Sequence, residues 1–185
     1  MIYDGISKSE IEEYVGKRGD FINIDYLSGL LKKELPFDVK KFVHLKMIEI
    51  YEHLKMFADA ARVYESLAII SLAFSEKVKY YVKETESYIK AGAFDKADKA
   101  LNKAIGEANS IEKDEIYYSI KDFYLRLAEN YENQMKINHA SRVYEKLIKM
   151  RMTDYEKKHL KEKLIRLYEK LGKFKEAKRL EGVGE

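Results

Sequence analysis

Cysteine is absent from the 185 residues, which removes disulfides, thiolate metal sites and cysteine nucleophiles together. Proline occurs once, at Pro36. Strand-like runs of Val, Ile and Thr are missing as well, which leaves an all-helical chain. Long apolar runs are lacking too. The longest, "LAIISLAF" (Leu67–Phe74), is interrupted by Ser71 and far too short to cross a bilayer. The opening "MIYDGISKSEIEEY" has no apolar core of the kind a signal peptide needs. No membrane span and a cytoplasmic location are therefore expected.

The chemistry-bearing patterns are equally sparse. The four histidines, His44, His53, His139 and His159, include no pair at the four-residue spacing of a helical zinc site. "GAFDKADK" has a lysine but not the glycine framework of a phosphate loop. Acidic pairs such as Glu84 with Glu86 occur throughout so charged a chain and single nothing out. The "RGD" of Arg18–Asp20 is a common chance tripeptide lying at a turn. Neither metal, cofactor nor catalytic activity is expected.

What is present is 46% apolar and 36% charged residues, the balance of a folded, soluble chain. At this length it holds one well-buried domain or a short array of repeats. The net charge of +3 is unevenly spread. Residues 149–185 carry 12 Lys and Arg against 7 Asp and Glu, while residues 1–148 carry 23 against 25. Basic tails attract nucleic acid or anionic surfaces. Here the lysines alternate with glutamates, as on a solvated helix face. Abundant Lys and Glu without cysteine also suit a thermophilic source.

A unit recurs along the chain. In "YIKAGAFDKADKAL", Tyr88 is followed by Gly92, Phe94, Ala97 and Ala100. The same frame fits Tyr168, Gly172, Phe174, Ala177 and Leu180, and also Tyr51, Lys55, Phe57, Ala60 and Val63. It fits Tyr131, Met135, Ile137, Ala140 and Val143, and a degenerate copy at Val15, Gly19, Phe21, Ile24 and Leu27. The reference residues lie 36, 37, 43 and 37 apart, and "ARVYESL" and "SRVYEKL" match in phase. Each feature has a packing reason. The Tyr and the later aromatic bracket a turn, the Ala admits a close second helix, and Gly suits a left-handed helix end. The periodicity predicts helices near 8–18, 21–34, 38–54, 57–73, 76–91, 94–108, 112–134, 137–151, 154–171 and 174–181. They form one domain over 1–185, as a degenerate repeat about 8–34 and repeats about 38–73, 76–108, 111–151 and 154–181.

With Met47, Leu127 and Leu164 four places before the reference Tyr, these positions resemble the core of the tetratricopeptide repeat over roughly 38–181. Glu84 stands where one copy should be apolar, and Leu72, Asn109 and Met152 replace the usual inter-repeat proline. The longer, proline-poor units are more similar to the relaxed arrays of the SNAP family of fusion adaptors. The resemblance implies an all-α, right-handed α-α superhelix whose first helices line a concave face that binds protein segments. It implies groove positions six and two before the reference residue and two after it. These are Leu45, Glu49 and His53; Val82, Glu86 and Lys90; Leu125, Glu129 and Asn133; and Arg166 in the last copy. Relatives that bind chaperone tails carry Lys and Asn where this chain has Glu, so capture of a C-terminal carboxylate is not expected.

Two accounts of these columns remain open. Glu placed four residues before a basic residue steadies an exposed helix by about 0.2–0.5 kcal/mol per pair without any ligand. Alternatively, the glutamates meet basic side chains of a bound segment while Leu45, Val82 and Leu125 hold its apolar ones. The leading expectation is a non-enzymatic scaffold for a protein or peptide partner. The other is a nucleic-acid-associated protein using the basic C-terminal third. Solenoid ends need polar caps, and the last helix presents Phe174, Ala177 and Leu180, so a second copy of the chain is expected to cover that end, as a homodimer through the uncapped helix, or the concave face. The adjacent pairs Tyr80-Tyr81 and Tyr117-Tyr118 are expected in packing rather than on bases.

Overall fold

The structure, a computed structural model, describes residues 5–182. Among these residues are ten α-helices and no strand. They are α1 (Lys8–Gly16), α2 (Asp20–Leu31), α3 (Phe37–His53), α4 (Phe57–Ile70), α5 (Phe74–Lys90), α6 (Phe94–Glu107), α7 (Ser110–Asn133), α8 (Ile137–Leu147), α9 (Asp154–Lys170) and α10 (Phe174–Glu181). The described residues divide into two compact units, one up to Ser110 and one from Ile111.

Four turns share one backbone, and the reference tyrosines explain it. Residues Lys55, Gly92, Met135 and Gly172 all adopt the left-handed conformation, with φ of 58°, 69°, 58° and 72°. In each turn the amide of the next residue returns to the tyrosine carbonyl. Met56 donates to Tyr51 at 2.8 Å, Ala93 to Tyr88 at 2.9 Å, Lys136 to Tyr131 at 2.8 Å and Lys173 to Tyr168 at 2.8 Å. The left-handed residue itself donates to the carbonyl one past the tyrosine, as Gly172 does to Glu169 at 3.0 Å. This pair of bonds is the Schellman closure, which satisfies carbonyls a helix end would otherwise leave open. The second helix then starts on Phe57, Phe94, Ile137 or Phe174.

The turn near residue 19 is built differently. Gly19 has φ of −75° and is the N-cap of α2. The buried Asn23 side chain holds this corner by donating to the carbonyls of Val15 and Arg18, both at 3.0 Å. Arg18 lies over the Tyr14 ring, and Tyr14 stacks on Tyr26 with centroids 3.7 Å apart. The "RGD" triplet is thus part of a corner.

Several helices end earlier than periodicity predicts, each for a local reason. α2 stops at Leu31, where the Lys33 amide turns back to the Leu30 carbonyl at 2.9 Å, and Pro36 is then the N-cap of α3. α4 stops at Ile70 because buried Ser71 turns extended and donates its hydroxyl to the Leu67 carbonyl at 2.7 Å. α8 stops at Leu147, which frees Thr153 to form a capping box with Glu156 at the start of α9.

In the first unit α3 packs on α4, α4 on α5 and α5 on α6, with α1 and α2 against α3. In the second, α8 packs on α9 and α9 on α10. α7 is tied to α8 by the buried Tyr144 hydroxyl, which donates to Glu132 at 2.6 Å. The alanines that admit the second helix, Ala60, Ala97, Ala140 and Ala177, are all buried. This corrects one expectation about α10. Ala177 is buried against α9 and not on the open side, because it holds the position at which Ala60, Ala97 and Ala140 admit the close second helix in the other copies. Phe174 is exposed and Leu180 half-buried. Tyr80 and Tyr81 are buried as expected. Tyr118 is exposed and, with Tyr117, packs against the Arg151 guanidinium instead of entering the core.

No helix among the described residues is long and apolar enough to cross a membrane.

Candidate functional site

Ion pairs recur in register with the turns. Lys41 on α3 meets Glu76 on α5 at 2.5 Å, and Lys121 on α7 meets Glu156 on α9 at 2.9 Å. The two pairs occupy the same places in the repeat frame, ten and twelve residues before their reference tyrosines. Tyr64 approaches Glu52 at 3.4 Å, and its counterpart Tyr144 donates to Glu132 at 2.6 Å. Burial first, and these carboxylates next, push both phenols well above their ordinary range.

In the second unit the first helices leave an open groove between them. A cavity of about 370 Å³ is lined by Leu125, Leu147, Met152 and Leu160 as its apolar wall. Lys121, Asp122, Glu129, Tyr155, Glu156, His159 and Lys163 form its polar rim. Lys163 bridges from α9 to Glu129 on α7 at 3.0 Å. The cap and the bridge together fix Glu156. Lys121 hydrogen-bonds its carboxylate and Thr153 donates to it, which lowers its pKa to about 2. Two shallower hollows share these walls. One adds Tyr118 and Arg151 beyond Lys121 and Met152, and the other adds Glu132 and Asn133 beyond Glu129 and Lys163.

Of the residues expected in a groove, Leu125, Glu129 and Asn133 come together here. Arg166, one turn further along α9, is exposed and lies outside the cavity lining. In the first unit Leu45 and Glu49 are exposed on α3, with Glu49 3.0 Å from Lys46. Val82 and Glu86 are partly covered on α5, with Glu86 2.8 Å from Lys83. Two of the expected residues are engaged within the fold. His53 faces Asp20 of α2 at 2.8 Å, and Lys90 lies over the Phe57 ring at 5.4 Å.

Lys121, Met152, Tyr155, Glu156, His159, Leu160 and Lys163 were not anticipated. One signal was available, and for Lys163 only. Lys46, Lys83, Arg126 and Lys163 all stand five before the reference residue, a basic column beside the glutamates.

The two units fill the same wall differently. The counterparts of Asp122 and Leu160 in the first unit are Phe42 and the buried Tyr80. Tyr80 stacks near Tyr64 with centroids 6.5 Å apart. Phe42 is half-buried and Tyr80 buried there, where an aspartate and a leucine line the cavity here.

A second polar cluster lies in the first unit. Glu84 of α5 is 2% exposed, at the position Met47, Leu127 and Leu164 fill elsewhere. One of its oxygens is 3.4 Å from Lys103 of α6, and the other has no hydrogen-bond partner. Lys103 also meets Glu65 of α4 at 2.5 Å. Desolvation dominates, with Glu65 adding to it, so the Glu84 pKa is pushed up to about 7 despite Lys103. Burial alone would lower the Lys103 pKa, but Glu65 and Glu84 outweigh it and the net shift is upward.

No group of three or more His, Cys, Asp or Glu among the described residues is placed to hold a metal ion. Compared with protein-family models, curated proteins and solved structures, the chain matches none. The class is therefore the one the fold itself defines, an all-α chain of packed adjacent helix pairs.

Proposed function

We propose that the chain is a tetratricopeptide-like, right-handed array acting as a non-enzymatic, cytoplasmic scaffold. It holds a protein or peptide segment in the groove of its first helices. The observation that carries this reading is the α7–α9 cavity, where Leu125 supplies apolar wall and Glu129 supplies a rim carboxylate. A few convergent polar groups around an apolar hollow of this volume are the usual form of a binding pocket. The basic C-terminal third supports nucleic-acid binding less well. Lys163 is held by Glu129, and Arg151 by Asp114 at 2.7 Å, so these cations are already matched.

The test compares the full chain with Leu125→Glu as baits in nuclease-treated native lysate at two salt concentrations. A protein retained by the wild type at both salts and lost by the variant is the expected result. Recovery of nucleic acid alone, with affinity falling steeply with salt, would overturn the reading.

A further inference from the structure

We infer that the open flank of α9 receives an acidic helix of a partner protein, through Lys158 and Arg166. Neither residue lines the cavity between α7 and α9, and the inference does not depend on the groove reading.

The contacts between α7 and α9 supply the template. Lys121 of α7 meets Glu156 of α9 at 2.9 Å, and Glu129 of α7 meets Lys163 of α9 at 3.0 Å. Lys41 makes the first of these contacts in the other unit, with Glu76 of α5 at 2.5 Å. Lys158 and Arg166 stand 37 residues after Lys121 and Glu129, at the same two places in the repeat frame. Both are exposed, and neither has an ion-pair or ring partner among the described residues. The flank around them is less covered than in the other copies. Ile165 is half-buried where Ile48, Thr85 and Ala128 are buried, and Lys161 is half-buried where His44, Tyr81 and Tyr124 are buried.

The occupant follows from charge and register. Lys158 calls for a carboxylate, as Lys41 and Lys121 do. Arg166 stands where Glu13, Glu49, Glu86 and Glu129 stand in the other copies, so the lysine that Glu129 meets is replaced here by a second carboxylate. Glu156 and Lys163 lie seven residues apart, which is two helical turns. The occupant is therefore a helix with two acidic side chains seven apart and an apolar residue between them, as Leu160 lies in α9. Glu162 sits between Lys158 and Arg166 without pairing to either. Lys157, Lys161 and Lys170 are unpaired among the described residues as well, against Asp154, Glu162 and Glu169, so α9 keeps a positive excess. Where the structure shows these two places filled, a helix fills them, which favours a helix over a row of phosphates. Two exposed ion pairs make a weak complex, with a dissociation constant on the order of 0.1 mM.

The test is fluorescence anisotropy of a labelled synthetic helix on the full chain. The probe is an alanine and glutamine helix carrying two glutamates seven apart with a leucine between them. A control of the same composition has its glutamates five apart, on different faces. The probe should bind roughly fivefold tighter than the control. Lys158→Glu and Arg166→Glu, both at exposed positions, should each weaken it roughly fivefold. The doubly reversed chain should instead prefer a probe with lysines in place of its glutamates. Leu125→Glu should bind the probe like the wild type, which separates this flank from the groove. The inference is overturned if probe and control bind alike, or if either reversal binds like the wild type. No binding up to about 1 mM would make the flank a solvated cap only and overturn it too. So would duplex DNA or phosphatidylserine vesicles bound more tightly than the probe, since the cations would then serve phosphates. A failure here leaves the scaffold reading intact, because that reading rests on Leu125.

Discussion

Exchanging glycine for a side chain at the left-handed turns tests the repeat where its backbone is most specific. Gly172 has φ of +72°, and a Cβ built there meets nothing within 4 Å. Gly172→Ala therefore perturbs the backbone alone. Left-handed backbone costs an L-residue about 1–2 kcal/mol. Reduced freedom in the unfolded chain returns about 0.4–1 kcal/mol of that, so a net loss of about 1 kcal/mol is expected. Met135 stands at the same place in the preceding turn with φ of 58°, and it is 76% exposed. Met135→Gly relieves the strain and loses little packing, while the added unfolded-state entropy takes back about 0.5–1 kcal/mol. Its net gain is about 0.5–1 kcal/mol. Both turns belong to the second unit, so urea unfolding of the full chain reports them on one scale. The double variant should lie near the wild type, since the turns are separate and such effects add. A neutral Gly172→Ala together with a destabilising Met135→Gly would refute the shared left-handed closure.

Glu84 should make stability fall with rising pH. Its folded pKa of about 7 exceeds the ordinary 4.5, so its cost is absent below about 4.5, grows between the two values and is complete above 7, at about 3 kcal/mol. Glu84→Leu, the residue two other copies carry, should flatten that window in urea titrations from pH 4.5 to 8; an unchanged slope would count against the buried carboxylate. Tyr144→Phe should cost about 1–2 kcal/mol, because it removes a buried 2.6 Å bond to Glu132. Tyr64→Phe should cost less, since its bond to Glu52 is 3.4 Å; equal losses in thermal unfolding would contradict the difference in geometry.

Much of the fold was legible because its signals are local. The tyrosine, the left-handed residue, the aromatic and the alanine lie within ten residues, and together they encode one Schellman turn and one close helix approach. Four of the five second helices accordingly begin where the pattern places them, at Phe57, Phe94, Ile137 and Phe174. The corner at Gly19 was not legible, because its backbone is held by the Asn23 side chain and not by a left-handed residue. Glu84 was visible as a break in an apolar column, but its partners were not. Lys103 and Glu65 lie on different helices, 19 residues ahead and 19 behind.

The sequence by itself determined the class: an all-α chain of repeated helix pairs, set by periodicity and by residues that act on their own turn. The tertiary structure alone decided which groove positions meet. Leu125, Glu129 and Asn133 gather along one groove while His53 and Lys90 are taken up by Asp20 and Phe57. A column in sequence fixes the face of one helix, but an open cavity depends on the side chains that neighbouring helices bring to the same wall. Here the wall carries a leucine at 160 and an aspartate at 122, at places where the first unit has Tyr80 and Phe42.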